Sequence, residues 1–431
     1  MRRSDRRPFG CLRSASVLQE RDGIVTQSMP PLPESRGDIF DGRRLALNPM
    51  LAGFSCIRCQ MELPVGDYFE GCPDCLARGK PSTLRSIYRD LPPVLSNGRA
   101  HGMRRFAAWM PYISWVSLGE GGTSCARFSS LANELGVADI HIKNEGQNPS
   151  GSHKDRMSCM AVARALDIGA TTIVAASSGN GGASLALYAA AAGLKCCIVT
   201  TPALSRVFQR AITMTGAQIV TASESLERWD HIAKMVKEQG AFSATNYLDP
   251  PVGSNHFGLD GLKTIAYEML EELGPDLVDV VLVPTSRGDL IWGLAEGFDQ
   301  LKAAGLIKSV PRLYAVEPFA RISAVLGGES ITGSFPGTTR LASIGGSTVT
   351  YQAMEAIRAS GGGAVIVKDE MVSRDQIRLA RHGCYAELSS AATLTGLELL
   401  LKNGVISPDA TVALIATSNG YKEDANGGSG Q

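Results

Sequence analysis

The chain has 431 residues, 44% of them hydrophobic and 47 of them glycine, enough for a large core divided over about two or three domains. Lys+Arg and Asp+Glu both number 42, and this balance points to neither nucleic acid nor an anionic membrane as a partner. No apolar run approaches the ~20 residues that span a bilayer, so a soluble, cytoplasmic, enzyme-sized protein is expected.

Residues 1–45 are rich in arginine and contain no lysine. They lack the apolar core of a secretory signal, and Asp5, Glu20 and Asp22 argue against a transit peptide. A disordered extension is expected there. Residues 46–90 carry two C-x-x-C pairs, Cys56/Cys59 and Cys72/Cys75, the second with proline inside its turn. Two such turns can aim four thiolates at one ion, so a zinc-ribbon-like segment is expected. Four protein ligands leave no open position, which makes the zinc structural. Glu62, Asp67 and Glu70 between the pairs disfavour a phosphate-binding face. The other six cysteines (Cys11, Cys125, Cys159, Cys196, Cys197, Cys384) are scattered, as free thiols in a reducing cytoplasm would be.

Residues 91–423 form the expected catalytic region. From about residue 105, β-branched runs alternate with helical ones. Thr171–Ser177, Lys195–Thr200 and "QIVTA" (218–222) read as strands, with helices over "GGASLALYAAAAG" and "SRVFQRAITMTGA" between them. Asp279–Pro284, Arg312–Pro318 and Ala410–Thr417 continue the pattern. Repeated βαβ units imply an α/β fold of two doubly wound parallel-sheet domains, the smaller spanning roughly 135–250. The glycine-rich tail 424–431 is expected to be flexible.

In such folds ligands sit beyond the carboxyl ends of strands. Three turns fall there: "SSGNGG" (177–182), "PTSRGDL" (284–290) and "TSNGYK" (417–422). The first suits any strand-to-helix turn as well as an anion site. The second, with Thr285, Ser286, Arg287 and Gly288, is either a phosphate cradle or a capped helix with a solvated arginine. Further back, "NPSGSHKDR" (148–156) passes from a turn into a helix and presents His153 and Lys154.

Taken together, these stretches resemble the threonine-synthase-like group of pyridoxal-phosphate enzymes, in the tryptophan-synthase-β superfamily (fold type II). "NPSGSHKDR" resembles the group's lysine motif, and "ASSGNGGASLALYAAAAG", "GLDGLKTIAYEMLEELG", "AELSSAATLTGL" and "TSNGYKE" resemble later motifs in the same order, over about residues 55–423. The zinc-ribbon-like segment also occurs in some members. The resemblance implies that Lys154 forms the Schiff base with pyridoxal 5'-phosphate and then acts as acid–base. It implies that Asn180 bonds the cofactor's phenolic oxygen, that Thr285, Ser286, Arg287 and Gly288 hold its phosphate, and that Thr417 faces its pyridine nitrogen. Ser178 and Gly179 would hold the carboxylate of an amino-acid substrate, and a homodimer is implied.

The chain departs from the group's pattern. Ser286 and Arg287 replace a Gly-Asn pair, and Asp289 would repel phosphate unless turned away. Gly181 replaces a threonine, enlarging the substrate site, and His153 replaces a phenylalanine, either packing or adding a titrating group. The reaction implied is elimination or replacement at a β or γ carbon, with O-phosphohomoserine to threonine leading. A cysteate- or cysteine-synthase-like β-replacement, an ammonia-lyase, and a non-catalytic zinc-ribbon module on the same fold are the alternatives. Arg206, Arg210 and Arg340 are candidate partners for a substrate phosphate, His256 for the site entrance, and Gly333–Gly346 for a loop facing substrate; Trp229 and His231 read as packing residues.

Overall fold

A computed structural model describes residues 45–423 except 97 and 99. The extension expected at 1–45 lies outside these residues but for Leu45, as does the tail 424–431. Two large sheets dominate the catalytic region. The smaller has four parallel strands, ordered Gln218–Thr221, Lys195–Thr200, Thr172–Ala176, Phe242–Ser243. The larger has six, ordered Gly363–Ile366, Arg312–Glu317, Val280–Pro284, Thr411–Ala416, Asp139–Asn144, Cys125–Arg127, and only the last pairs antiparallel.

The central strands are apolar along their whole length because helices cover both faces. Val280–Pro284 is buried at every position, and Thr411–Ala416 at all but its first. The strands expected from sequence lie within a residue of those observed. The smaller subdomain, however, begins later than expected at 135. Asp139–Asn144 pairs with Thr411–Ala416 over its full length, so this strand belongs to the larger sheet. The chain crosses to the smaller sheet through "NPSGSHKDR" and the helix Lys154–Asp167.

The cysteine-bearing segment is a three-stranded antiparallel sheet ordered Glu62–Leu63, Leu51–Cys56, Leu84–Tyr88. It docks on the helix Lys154–Asp167, where Arg164 makes a bidentate pair with Asp67 at 2.8 Å for each bond. It also docks on the helix His256–Leu273, where Ser86 donates to Asp260 and Phe54 packs on His256 and Phe257 with ring centroids 4.4 and 5.2 Å apart. His256 is therefore a buried contact of the ribbon and does not line the site entrance. Burial pushes its imidazole down to about 3, so it is neutral. Trp229 is buried as expected, but the His231 side chain is 42% exposed and faces Glu227.

A closed set of charges ties the sheets together. Arg156, with no exposed surface, reaches Glu145 through Nε (2.7 Å) and Nη2 (2.8 Å). It reaches Glu268 through Nη1 (2.9 Å) and Nη2 (2.7 Å), and Thr264 through Nη1 (2.9 Å). Lys143 donates to Glu268 at 2.8 Å and Glu272 at 3.0 Å. Burial alone would raise the Glu268 carboxyl, but Arg156 and Lys143 hold it well below the usual carboxylate range. Beside this set the helix His256–Leu273 comes very close to the lysine helix. A Cβ on Gly261 would lie 1.7 Å from the Arg156 carbonyl oxygen, so only glycine fits there.

Replacing Arg156 by Met leaves buried Glu145 without its cation and Glu268 with only part of its compensation, from Lys143. The expected loss is about 3–5 kcal/mol, read as a lower urea midpoint and poor recovery of folded protein. Arg156→Lys is expected to lose most of this as well, because one ammonium cannot grip two carboxylates bidentately.

Candidate active site

A cavity of about 410 Å³ opens between the carboxyl ends of the two sheets. Ser177, Thr201, Ala244, Thr285 and Thr417, each immediately following a strand, all line it. This is the place that open α/β sheets reserve for ligands.

Lys154 is the first residue of its helix, and its amine lies 3.7 Å from Met157 Sδ. Burial lowers its pKa below the usual lysine value, with Asp289 opposing and Arg287 adding to the shift. A desolvated amine in a cavity is the form suited to attack on an aldehyde. His153 also lines the cavity, but its Nδ1 lies 3.2 Å from the Thr417 carbonyl oxygen. Burial, aided by Lys154, keeps the ring neutral near pH 7. A carbonyl only accepts, so Nδ1 carries the hydrogen. His153 thus joins two of the predicted turns rather than bringing a second charge.

The turn 177–182 heads the helix Asn180–Ala191. Ser177 Oγ accepts from Gly182 N at 2.8 Å and Gly179 N at 3.4 Å. The Asn180 and Gly181 N–H groups precede the first intrahelical bond and face an anion favourably. A Cβ on Gly181 would lie 3.2 Å from Ser177 Oγ, so a larger residue would press on this cap. Ser178 Oγ accepts from Arg228 Nη1 at 3.1 Å.

The turn 285–288 heads the helix Asp289–Ala303. Thr285 has spent its donors, the hydroxyl on Val283 O (2.7 Å) and the N–H on Val316 O (2.9 Å). Buried Arg321 grips the Thr285 and Ser286 carbonyl oxygens at 2.8 and 2.9 Å, which turns those acceptors out of the cavity. Gly288 has φ +109, and a Cβ there would lie 2.4 Å from Ala353 Cβ, so glycine is required. Asp289, expected to repel phosphate, is turned aside: Ser254 and Gln352 donate to its carboxylate. Ser286, Arg287 and the helix-start N–H groups remain to hold an anion.

Three site residues escaped the sequence reading. Arg228 is 9% exposed and lines the cavity, yet stands on a helix that no motif marks. Glu387 opens the recognised "AELSSAA" stretch. Its carboxylate accepts from Asn180 Nδ2 at 2.8 Å and from Thr417 Oγ1 at 3.4 Å. Lys422, in "TSNGYK", donates to Asn180 Oδ1. Among the described residues, neither Arg228 nor Arg287 has a carboxylate in ion-pair contact; Arg287 lies over the Trp229 ring at 5.5 Å. The candidates Arg206, Arg210 and Arg340 are exposed and do not line the cavity, and Arg340 is engaged with Asp369. The end of the glycine-rich loop, 342–346, does line it.

Cys56, Cys59, Cys72 and Cys75 bring their sulfur atoms within 4.8 Å of one another. The Cys56–Cys75 and Cys59–Cys72 sulfur distances are both 3.6 Å. Tetrahedral Zn–S bonds of about 2.3 Å demand edges of about 3.8 Å, so the four thiols fit zinc. None of the nine described cysteines is in a disulfide.

A family model described as pyridoxal-phosphate dependent enzyme matches residues 116–418, and the chain belongs to that family. The chain is therefore a pyridoxal-phosphate-dependent lyase, and the non-catalytic alternative falls. More particularly, the chain is threonine-synthase-like. It is 32% identical over 386 residues to the threonine synthase of Methanocaldococcus jannaschii, covering 85% of this chain and 92% of that one. It is also 32% identical over 344 residues to that of Mycobacterium bovis, covering 78% and 88%. Among solved structures, the Rhizomucor miehei L-serine ammonia-lyase matches with a TM-score of 0.59 at 22% identity, covering 69% of this chain and 93% of that one. The Solanum lycopersicum threonine deaminase isoform 2 matches with 0.57 at 19%, covering 69% and 79%. These two likenesses establish the type II fold.

Metal analysis of the purified chain is expected to find one zinc per molecule. Stripping the metal, or the change Cys72→Ser, is expected to lower the thermal midpoint and to open residues 51–88 to protease before the sheets. Protein grown with zinc that holds none would contradict the assignment.

Proposed function

We propose that this lyase eliminates or replaces a charged group at the β or γ carbon of an amino acid, with O-phosphohomoserine to threonine as the specific reaction. The observation that carries the reading is Arg228, which lines the cavity in addition to Arg287 of the cofactor-phosphate turn. Among the described residues neither guanidinium has a carboxylate in ion-pair contact; the cofactor phosphate takes up Arg287, and the buried charge of Arg228 calls for ligand charge of the opposite sign. The cofactor phosphate and the substrate carboxylate already have helix starts to receive them. A phosphorylated side chain accounts for the remaining positive charge, whereas serine or threonine in an ammonia-lyase would leave it unmatched. O-phosphoserine meets the same Arg228 and is one methylene shorter, so β-replacement of the cysteate- or cysteine-synthase kind is the second reading.

Pyridoxal phosphate, when bound, supplies the electron sink for charge developing at the substrate Cα. In this reading Lys154 holds the cofactor covalently and, once freed, its Nζ takes the α-proton. Asn180 donates an N–H to the ring's phenolic oxygen. Thr417 Oγ1, held by Ser390 at 2.7 Å, faces the pyridine nitrogen with a hydroxyl rather than a carboxylate. Ser286, Arg287 and Gly288 hold the phosphate, while Thr285 shapes that turn through its backbone. Ser178, Gly179 and Gly181 receive the substrate carboxylate, and His153 walls the site beside Lys154. The zinc is structural, the enzyme cytoplasmic, and the assembly a homodimer.

The purified protein supplied with cofactor is expected to absorb near the visible edge, and Lys154→Ala to lose that band. Added amino acids should shift the band for O-phosphohomoserine or O-phosphoserine rather than for serine, threonine or diaminopropionate. Arg228→Gln is expected to weaken the phosphorylated substrate about 10–100-fold, as loss of one charge-assisted contact does, with little effect on neutral amino acids. Equal losses for both would return Arg228 to the α-carboxylate and refute the phosphate reading.

A further inference from the structure

The Asn180 amide is held from two sides by groups that each act in one sense only. Lys422 Nζ donates to Oδ1, and the Glu387 carboxylate accepts from Nδ2 at 2.8 Å; the Ser418 hydroxyl, 3.3 Å from Oδ1, has its shorter bond to Gly151 O at 2.9 Å. An ammonium has no acceptor, and an ionised carboxylate has no donor. Turned over, the amide would set N–H against N–H and oxygen against oxygen. Lys422 also donates to Ser150 O at 3.1 Å, so one ammonium joins the late turn, the start of the helix Asn180–Ala191 and the turn leading to Lys154.

We propose that Lys422 is a positioning residue for the cofactor ring: it locks the Asn180 amide so that one N–H goes to Glu387 and the second is left for the cofactor's phenolic oxygen. This rests on the reading that the cavity holds pyridoxal phosphate. An amide free to rotate would present its oxygen to that oxygen half of the time and repel it. The charge on Lys422 is maintained near neutral pH. Burial pushes the amine down to about 8, while Glu387 and Asp155 hold it up. Of the other titrating groups near it, His153 is neutral, and Glu423 is engaged with Leu388 N and Gln376.

The test is a double-mutant cycle on the reconstituted chain, with Lys422→Met, Lys422→Arg, Asn180→Ala and Lys422→Met in the Asn180→Ala background. The readouts are the position of the visible cofactor band and the cofactor dissociation constant from spectral titration. Lys422→Met is expected to shift the band and weaken cofactor about tenfold or more, and Asn180→Ala to do the same. The double variant should be no worse than Asn180→Ala, because both changes remove one interaction. Lys422→Arg, also donor-only, should keep much of the wild-type band. Unchanged binding in Lys422→Met, or losses that add in the double variant, would overturn the proposal. Should Lys422→Met not fold, a pH series decides. A band change near pH 8 in the wild type that is lost in Asn180→Ala supports the proposal; its absence from the wild type, or its persistence in Asn180→Ala, refutes it. A wild-type chain with no band at all refutes the cofactor reading instead, which keeps the two failures distinct.

Discussion

Arg156 lies two residues after Lys154 and meets Glu145 and Glu268 inside the core. Such a group is expensive to bury and far more expensive to leave half-paired. Its partners come from the end of a strand of the larger sheet and from the middle of the helix His256–Leu273. Satisfying it therefore fixes the rotation and depth of the helix that begins with Lys154. Gly261 completes the constraint by letting the two helices meet backbone to backbone. Lys154 opens that helix, so the place of its amine follows from the charge set that begins two residues further on.

Above that level the site is organised by the direction of donors. Two helix starts and two guanidinium groups, neither in ion-pair contact with a carboxylate among the described residues, face the cavity. The acidic groups nearby are engaged elsewhere: Asp289 by Ser254 and Gln352, Glu387 by Asn180 and Thr417. Arg321 pulls the carbonyl oxygens of the 285–288 turn away from the space they would otherwise fill with negative charge. Between apolar stretches such as Met157, Leu185 and Phe208, the polar part of the wall therefore offers mainly N–H and O–H groups, complementary to a ligand carrying anionic oxygens.

Much of this was legible in the chain. Buried parallel strands leave continuous apolar runs, and paired C-x-x-C turns leave a spacing that few other structures need. Lys154 became legible through company, since "SSGN", "AELSSAA" and "TSNGYK" agree only if they converge on one point. What stayed hidden depends on register in space. Arg228 reaches the site from a helix with no motif, and Arg206 and Arg210, equally plausible by type, point to solvent. His256 reads as a loop histidine until the ribbon is laid on it. The start of the smaller subdomain, expected near 135, falls later: "DIHIKN" (139–144) carries too mixed a pattern to show in sequence that it joins the larger sheet.

The docking of the ribbon also bears on how the chain is made. Ser86 and its partner Asp260 are separated by 174 residues. At synthesis rates of about 5–20 residues per second, the ribbon leaves the ribosome roughly 9–35 s before the helix it rests on. For most of that interval it has no Phe257 to cover Phe54, and until 97 further residues are made Asp67 has no Arg164 either. Its four thiols, however, close within 19 residues of chain, so a metal can order the segment before any long-range contact exists. A nascent chain with a finished ribbon offers the later helices a ready surface, whereas one without it offers them an adhesive, half-formed strand pair.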